Sequence, residues 1–426
     1  MHVMIINVFF APQSYGGATL VAEQVAQHLM ADHGVQVSAV SAMSRADLQP
    51  YAILKAEVGG VVNRMINLPA DRSYPLRYAN PDVAERITRI VRQVQPDLVH
   101  VHCVQDIGAD VLAALHGLGV PTVLSLHDFW WLCERQFMVR LDGTYCAQDP
   151  VRIEGCRGCV DDFARAQARQ SRLDMLAPMA DLITCPGEFA RGLYARSGFP
   201  SDRLTVWENG VRPPGPDFFA AQKARRERDP RHVFGFVGGP SAIKGWPLLQ
   251  DTFSSVPRGD FCGLLVDGSL DGSWYAGRDL TRMSGEWSVV PRYGQDEIDG
   301  FFSQIDTLLF LSQWKETFGL TIREALVRGV RVIQTDSGGT MEHGAAEHAR
   351  VVPIGCTPSH LLTEVMGALD GPRGGPPIWV RTYAEQATDF LSLVRPLLGQ
   401  TIPFARPKSN ADMFRSGRDL SVEVAE

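Results

Sequence analysis

The sequence predicts an α/β protein built from two doubly wound halves. Two features carry this. Short continuous apolar runs alternate with amphipathic segments along most of the chain, the pattern of parallel strands covered by helices on both faces. The alternation breaks near the middle, at the Pro-rich and then charged stretch RPPGPDFFAAQKARRERDP, residues 212–230, which reads as a linker. A length of 426 residues agrees with two domains.

In the first half, HVMIINVF reads as a buried strand and GGATLVAEQVAQHLM as a helix entered through Gly16 and Gly17. VQVSAVSA is the next strand, followed by a less regular stretch. ERITRIVRQVQ is a helix with Ile87, Ile90, Val91 and Val94 on one face. Strand DLVHVHCV, helix DIGADVLAALHGL and strand TVLSLHD continue the rhythm. A loop from Trp130 to about Val160 interrupts it, and ADLITCP, GEFARGLYARSGF and LTVWENGV restore it. The second half runs HVFGFVGG, a loop ending in Lys244-Gly245, helix WPLLQDTF, then strands FCGLLVDG, WSVVP, TLLFLS, VRVIQTD and ARVVPI with helices DEIDGFFSQ, GLTIREALVRG and SHLLTEVMGAL between them. A last helix is expected from Trp379 to Leu398, with Trp379, Tyr383, Ala387, Phe390, Val394 and Leu397 as its apolar stripe. The expected domains are therefore 1–211 with an insertion at 130–160, a linker at 212–230, a second domain at 231–378, the helix at 379–399 and a loose polar tail at 400–426.

Apolar residues make up 45% of the chain and charged residues 21%, with a net charge of −7. This balance argues against a nucleic-acid partner, which calls for a basic face. The N-terminal MHVMIINVFF is cut short by APQSYGG and lacks a basic leader and a cleavage site, so it reads as a core strand. No run approaches the roughly 18–20 apolar residues of a membrane span. A cytoplasmic protein is expected.

The stretch WKETFGLTIREAL, residues 314–326, places Glu316 just before a helix and Glu324 two turns further on, with Gly319 at the helix entrance. Acids near a helix start have a plain reading, since the dipole there is positive. The context goes further. VWENGV before the linker, FVGGPSAIKGW at the start of the second half and WKETFGLTIREALVRGVRVIQTDSGG near its end together resemble the retaining nucleotide-sugar glycosyltransferases of the GT-B fold, family 4. The resemblance covers the chain to about residue 399.

That resemblance implies a donor site in the second half. Thr317, Phe318, Gly319 and Leu320 present a helix N-terminus to a diphosphate. Glu316 lies beside the donor sugar and Glu324 holds the ribose. Lys244 neutralises the diphosphate, while Lys315 points away. The family's arginine after FVG is replaced by Gly239, and Arg292 either takes over its charge or is a solvated residue. In the first half, Gly16 and Gly17 match a glycine loop facing the cleft. His127 matches a histidine near the reacting sugar, with Asp128 as companion. His100 and His102 are read as packing residues, one on each side of the sheet. Asn209-Gly210 is a turn at the hinge, and the last helix crosses back onto the first domain. Catalysis would rest on His127, Glu316 and Lys244 without a metal, and no D-x-D pair is evident at the donor motifs. The donor would be a UDP- or GDP-linked sugar, and the acceptor a glycan or lipid-linked glycan of bacterial surface polysaccharide or lipopolysaccharide assembly. Arg165, Arg169 and Arg172 on one helix face either meet anionic headgroups, giving peripheral contact with the inner membrane, or are solvated. A nucleotide-sugar epimerase, a sugar phosphorylase and a non-catalytic nucleotide-sugar binder remain as alternatives.

Four of the eight cysteines fall in the 130–160 loop as Cys133, Cys146, Cys156 and Cys159. A C-x2-C pair with two further cysteines supplies four thiolates for a structural zinc site, which would anchor a loop too long to order itself. Two disulfides, or four unlinked thiols, are the other readings.

Overall fold

The computed structural model describes residues 1–399 and the pair Val422–Glu423. In the first half the elements are β1 (His2–Ile6), α1 (Gly17–His33), β2 (Gln36–Met43), β3 (Ile53–Val58), β4 (Val61–Asn67), α2 (Pro81–Val94), β5 (Leu98–Val101), α3 (Asp110–Leu118), β6 (Thr122–Ser125), α4 (Phe163–Leu176), β7 (Leu182–Cys185), α5 (Glu188–Arg196) and β8 (Leu204–Val206). The second half has α6 (Phe218–Arg228), β9 (His232–Val237), α7 (Trp246–Phe253), β10 (Phe261–Asp267), β11 (Glu286–Pro291), α8 (Ile298–Phe302), β12 (Thr307–Phe310), α9 (Leu320–Leu326), β13 (Arg331–Thr335), β14 (Ala349–Val352), α10 (Pro358–Leu369) and the returning α11 (Tyr383–Leu398), with β15 (Val422–Glu423) beyond.

Each half is one twisted sheet. The first has the order β15-β3-β4-β2-β1-β5-β6-β7-β8 and the second β11-β10-β9-β12-β13-β14. All pairings are parallel except those of β3 with β4 and with β15. Parallel strands covered on both faces are buried on both, which is why β5, β6 and β12 are buried at every position rather than at alternate ones. In both sheets the strand order reverses next to the first strand of the half, β1 or β9. Ligands of open α/β sheets gather at such switch points, outside the carboxyl ends of the strands.

Three expectations change. The irregular stretch after β2 contains the hairpin β3–β4, turned by Gly59 and Gly60 with φ of 59° and 81°, which suits a tight two-residue turn. The supposed linker contains α6. Phe218, Gln222 and Arg225 of that helix are buried, and Arg225 donates to both carboxylate oxygens of Asp306 at 3.0 and 2.8 Å, which ties the helix to the second sheet. The last helix starts at Tyr383 rather than Trp379, because Thr382 and Glu385 form a reciprocal capping box; Trp379 is exposed.

The crossing back is as expected. Tyr383, Ala387, Phe390 and Val394 of α11 share one apolar cluster with Val21, Ala22 and Val25 of α1 and with Trp207. Where the chain passes between halves it does so twice side by side, with Val211 bridged to Thr382. Asn209, expected at a hinge turn, is buried and accepts from Gln386 at 3.1 Å, while Gly210 N donates to Gln386 Oε1 at 2.7 Å. The tail call over 400–426 lies outside the described residues apart from Val422–Glu423, which pair antiparallel with β3. Among the described residues no helix is long and apolar enough to cross a membrane.

Candidate active site

The second half builds its wall of the cleft from two loops that meet. The loop after β9 ends in Lys244, and the stretch after β12 carries Glu316. Lys244 Nζ donates to Glu316 Oε1 at 2.7 Å, and Ser312 Oγ donates to the same oxygen at 2.6 Å. The ammonium stands 5.6 Å from the centroid of the Trp314 ring. Glu316 is fixed through its backbone. Its N–H donates to Ser337 O at 3.0 Å, and its carbonyl accepts from Gly339 N at 2.9 Å. The DSGG stretch lies so close that a Cβ on Gly339 would fall 2.0 Å from Thr317 O, so no other residue fits there. Arg323, buried in α9, donates to the carbonyls of Gly339 at 2.9 Å and Glu342 at 2.8 Å, and to that of Phe318. Burial lowers its pKa to about 10. Lys315 turns away, as expected, toward the backbone and carboxylate of Asp336.

Glu324 lies inside α9, buried, with Gln295 Nε2 at 3.2 Å from its Oε1. Arg328 is near but spends its Nε on Asp299 at 2.6 Å. Burial raises the Glu324 carboxyl above its ordinary range, opposed by the Gln295 bond and the Arg328 charge. A buried acid held mainly by a neutral amide is under-compensated. Buried acids with perturbed titration concentrate at functional sites, which makes Glu324 a candidate ligand-binding group.

The first half faces this wall closely. Thr317 Oγ1 donates to His127 O at 2.5 Å, and the Cβ of Gly17, were there one, would lie 3.3 Å from Leu320 Cδ1. The starts of α1 and α9 therefore confront each other, bringing Gly16, Gly17, Thr317, Phe318, Gly319 and Leu320 into one place. Glu342 of the second half accepts from Glu188 N at 2.8 Å and from Phe189 N, so it caps α5 across the cleft.

His127 does not stand alone. Its Nε2 is 2.8 Å from His102 Nδ1. His102 packs at 4.0 Å between ring centroids against His100, whose Nε2 is 2.7 Å from Ser125 Oγ; Ser125 and Thr184 share a further bond of 2.7 Å. His100 and His102 thus sit on one face, not on opposite faces: residues two apart on a strand point the same way. Burial holds His127 down at about 4 and His100 at about 3, and lowers His102 as well, so the group is neutral near pH 7. Asp128 is occupied locally, accepting from Trp130 N, Gln136 Nε2 and Gln105 Nε2, so it fixes the start of the cysteine loop.

Other expectations fall differently. Gly239 is left-handed (φ 72°), and a Cβ there would lie 2.5 Å from Trp274; the indole fills the space an arginine side chain would leave by. Arg292 is exposed and, among the described residues, its guanidinium makes no hydrogen bond or ion pair with Lys244 or Glu316. The three arginines of α4 do not share one solvated face. Arg169 is buried and donates to Trp130 O at 2.5 Å, Arg172 pairs with Asp110 at 2.5 Å, and Arg165 lies 4.1 Å from the Tyr74 ring centroid. Cys133, Cys146, Cys156 and Cys159 are all unbridged and line one small cavity. Among the described residues no three potential ligands already converge at metal-binding distance.

Residues 15–213 match the model of Glycosyltransferase Family 4. Across the whole chain, the structure is similar to sucrose-phosphate synthase from Thermosynechococcus elongatus (TM-score 0.60, 14% identity, covering 94% of this chain and 96% of that one). It is also similar to trehalose 6-phosphate synthase from Burkholderia multivorans (TM-score 0.62, 12% identity, 93% and 98%). A third is Anabaena HepE in complex with UDP and glucose (TM-score 0.58, 17% identity, 93% and 97%). The fold is GT-B. No curated protein sequence matches the chain significantly. The family match covers the first half, whereas the glutamate and lysine motifs lie in the second, so the two lines of likeness do not rest on the same residues.

Sequence reasoning missed several contributors to the GT-B cleft. Trp314 joins the halves through Phe129 and Phe137, at centroid distances of 6.2 and 4.9 Å. Ser312, Gln295, His102 and Arg323 each hold a candidate group in place. Ser312 stood four residues before Glu316 and was open to notice. Gln295 and His102 reach their partners only through the tertiary fold.

Proposed function

We propose that the protein is a retaining glycosyltransferase that uses a nucleoside-diphosphate sugar, UDP- or GDP-linked. The observation that carries this is the Lys244–Glu316 pair at 2.7 Å, set beside the start of α9 with the under-compensated Glu324 on the same helix. A diphosphate entering between the halves meets the Lys244 ammonium and the free N–H groups at that helix start. Adjacent ribose hydroxyls give Glu324 the donors it lacks. Glu316 then exchanges part of its bond with Lys244 for a sugar hydroxyl. The HepE complex holds UDP and glucose, and its likeness supports the same class of donor here.

Transfer with retention needs no covalent carboxylate in this reading. The departing diphosphate oxygen takes the acceptor proton while Lys244 stabilises the growing charge, so the protein's own cation does the work of a divalent ion. His127 and Thr317, joined across the cleft, position the sugar end. The acceptor enters from the first half, where the Trp130–Val160 loop and His127 line the opening, and a glycan or lipid-linked glycan of surface polysaccharide assembly suits it. Thermal-shift screening against UDP-, GDP-, ADP- and TDP-linked sugars, followed by product analysis with an acceptor extract, tests this. The reading predicts stabilisation by one base class, transfer without added Mg²⁺ and an unchanged anomeric configuration. An epimerised sugar nucleotide, an inverted product, or binding with no turnover would each contradict it.

A further inference from the structure

The cysteines of the 130–160 loop take no part in the transfer described above, yet their arrangement is organised. All four line one cavity of about 10 Å³, close to the smallest space that holds a single water-sized body. Cys156 and Cys159 are the ends of a tight turn. Cys159 N donates to Cys156 O at 2.9 Å, Arg157 has φ −58° and ψ 124°, and Gly158 has φ 81°, the dihedrals of a type II turn. Gln148 Nε2 lies 3.5 Å from Cys146 Sγ and 3.8 Å from Cys156 Sγ, so those two sulfurs already share one donor. Gln136, Met138 and Ala147 are all left-handed, with φ of 66°, 54° and 56°. Non-glycine residues are strained there and persist only where their surroundings demand it.

A donor shared between two sulfurs suits thiolate more than thiol. A soft divalent cation is what turns such thiols into thiolates, because it displaces their protons and brings its own positive charge.

We propose that Cys133, Cys146, Cys156 and Cys159 bind one Zn²⁺ ion as a closed tetrahedral four-thiolate site. The sulfurs, which now line the cavity, turn inward onto the ion. The thiol protons pass to solvent, and zinc replaces the Gln148 amide as partner of Cys146 and Cys156. Four protein ligands leave no open position, so the ion is structural. It staples the loop that sets Phe137 against Trp314 at 4.9 Å, and Trp314 is the ring beside Lys244. This effect on the cleft rests on the transferase reading; the ion's presence does not.

The test uses the full chain purified without chelator. Metal analysis is expected to give about one zinc per chain, falling by at least about fivefold in the Cys156→Ser/Cys159→Ser variant. Should that variant not fold, Co²⁺ exchanged into the wild type gives the same information through its absorption, expected as intense tetrahedral thiolate–cobalt bands. Thiol titration of the native protein is expected to show the four cysteines protected until chelator is added. Less than about 0.2 zinc per chain after incubation with Zn²⁺, with four thiols titrating freely, would overturn the proposal, as would an intact mass about 4 Da lower from two disulfides. Zinc at full occupancy in a protein that binds no nucleotide sugar would leave the metal site standing and remove the reading of the cleft.

Discussion

The two walls of the cleft handle polarity in opposite ways. The second-half wall keeps formal charge, paired as Lys244–Glu316 and nearly unpaired as Glu324. The first-half wall holds His100 and His102 buried and His127 partly buried, with Ser125 and Thr184, bonded mainly to one another and kept neutral by desolvation. Fixed charge suits a diphosphate, whose own charge grows as it leaves. Of the neutral group only His127 is partly exposed, and on the proposed reading it is the one that meets the sugar. On the proposed reading, each half's share of the donor follows from how it treats its titratable groups.

The comparison predicts a ranking of effects. Lys244→Ala removes the charge from the wall that depends on it, and turnover should fall by about 100-fold or more, with weaker donor binding. Steady-state kinetics on the preferred sugar nucleotide checks this, and an unchanged rate would move the leaving-group role elsewhere.

The neutral wall should show itself in stability against pH. The folded values of His100 and His127 lie at about 3 and 4, against an ordinary 6.5. Between pH 6.5 and 4 the unfolded chain therefore binds protons that the folded chain refuses. Stability should be complete above about 6.5 and fall as pH drops through that window, by roughly 1.4 kcal/mol per pH unit for each such histidine. Denaturant melts from pH 7 to 4.5 measure the slope. In His102→Leu it should shrink by about one proton, and an unaltered slope would show that the cluster also titrates while folded.

The smallest effect belongs to the contact between walls. Thr317→Val deletes one bond to the His127 carbonyl, a neutral interaction worth about 1 kcal/mol. It should cost about five-fold in kcat/KM, with nucleoside diphosphate affinity hardly changed. A loss as large as that of Lys244→Ala would make the cross-cleft bond more than a positioning contact.

The same contrast explains what the sequence made legible. The charged wall is local: Glu316, Gly319 and Glu324 fall within 314–326, and helix-start chemistry could be read there directly. Lys244 carried its own loop signal. The neutral wall is assembled from the ends of β5, β6 and β7, far apart in the chain, so the bond of His102 to His127 had no local signature. The same holds for Arg169, whose place on a charged helix gave no sign that it would turn inward to Trp130 O. The β3–β4 hairpin is a different case. Its Gly59-Gly60 pair was a readable turn signal, outweighed by the irregular residues around it. The supposed linker shows composition misleading, since Phe218 of it packs into the second half and both Arg225 and Arg226 pair with the buried Asp306.

On the proposed reading the two glutamates divide the donor between them, Glu324 holding the nucleoside and Glu316 serving the sugar end. Calorimetric titration of the free nucleoside diphosphate of the preferred base into Glu324→Ala and Glu316→Gln tests it most directly. The account predicts that Glu324→Ala loses about ten-fold or more in affinity, as for lost hydrogen bonds to a charged group. Glu316→Gln should bind at least as tightly as the wild type, because Lys244 is released to the diphosphate, while its turnover falls. Equal losses of affinity in the two variants would contradict the account.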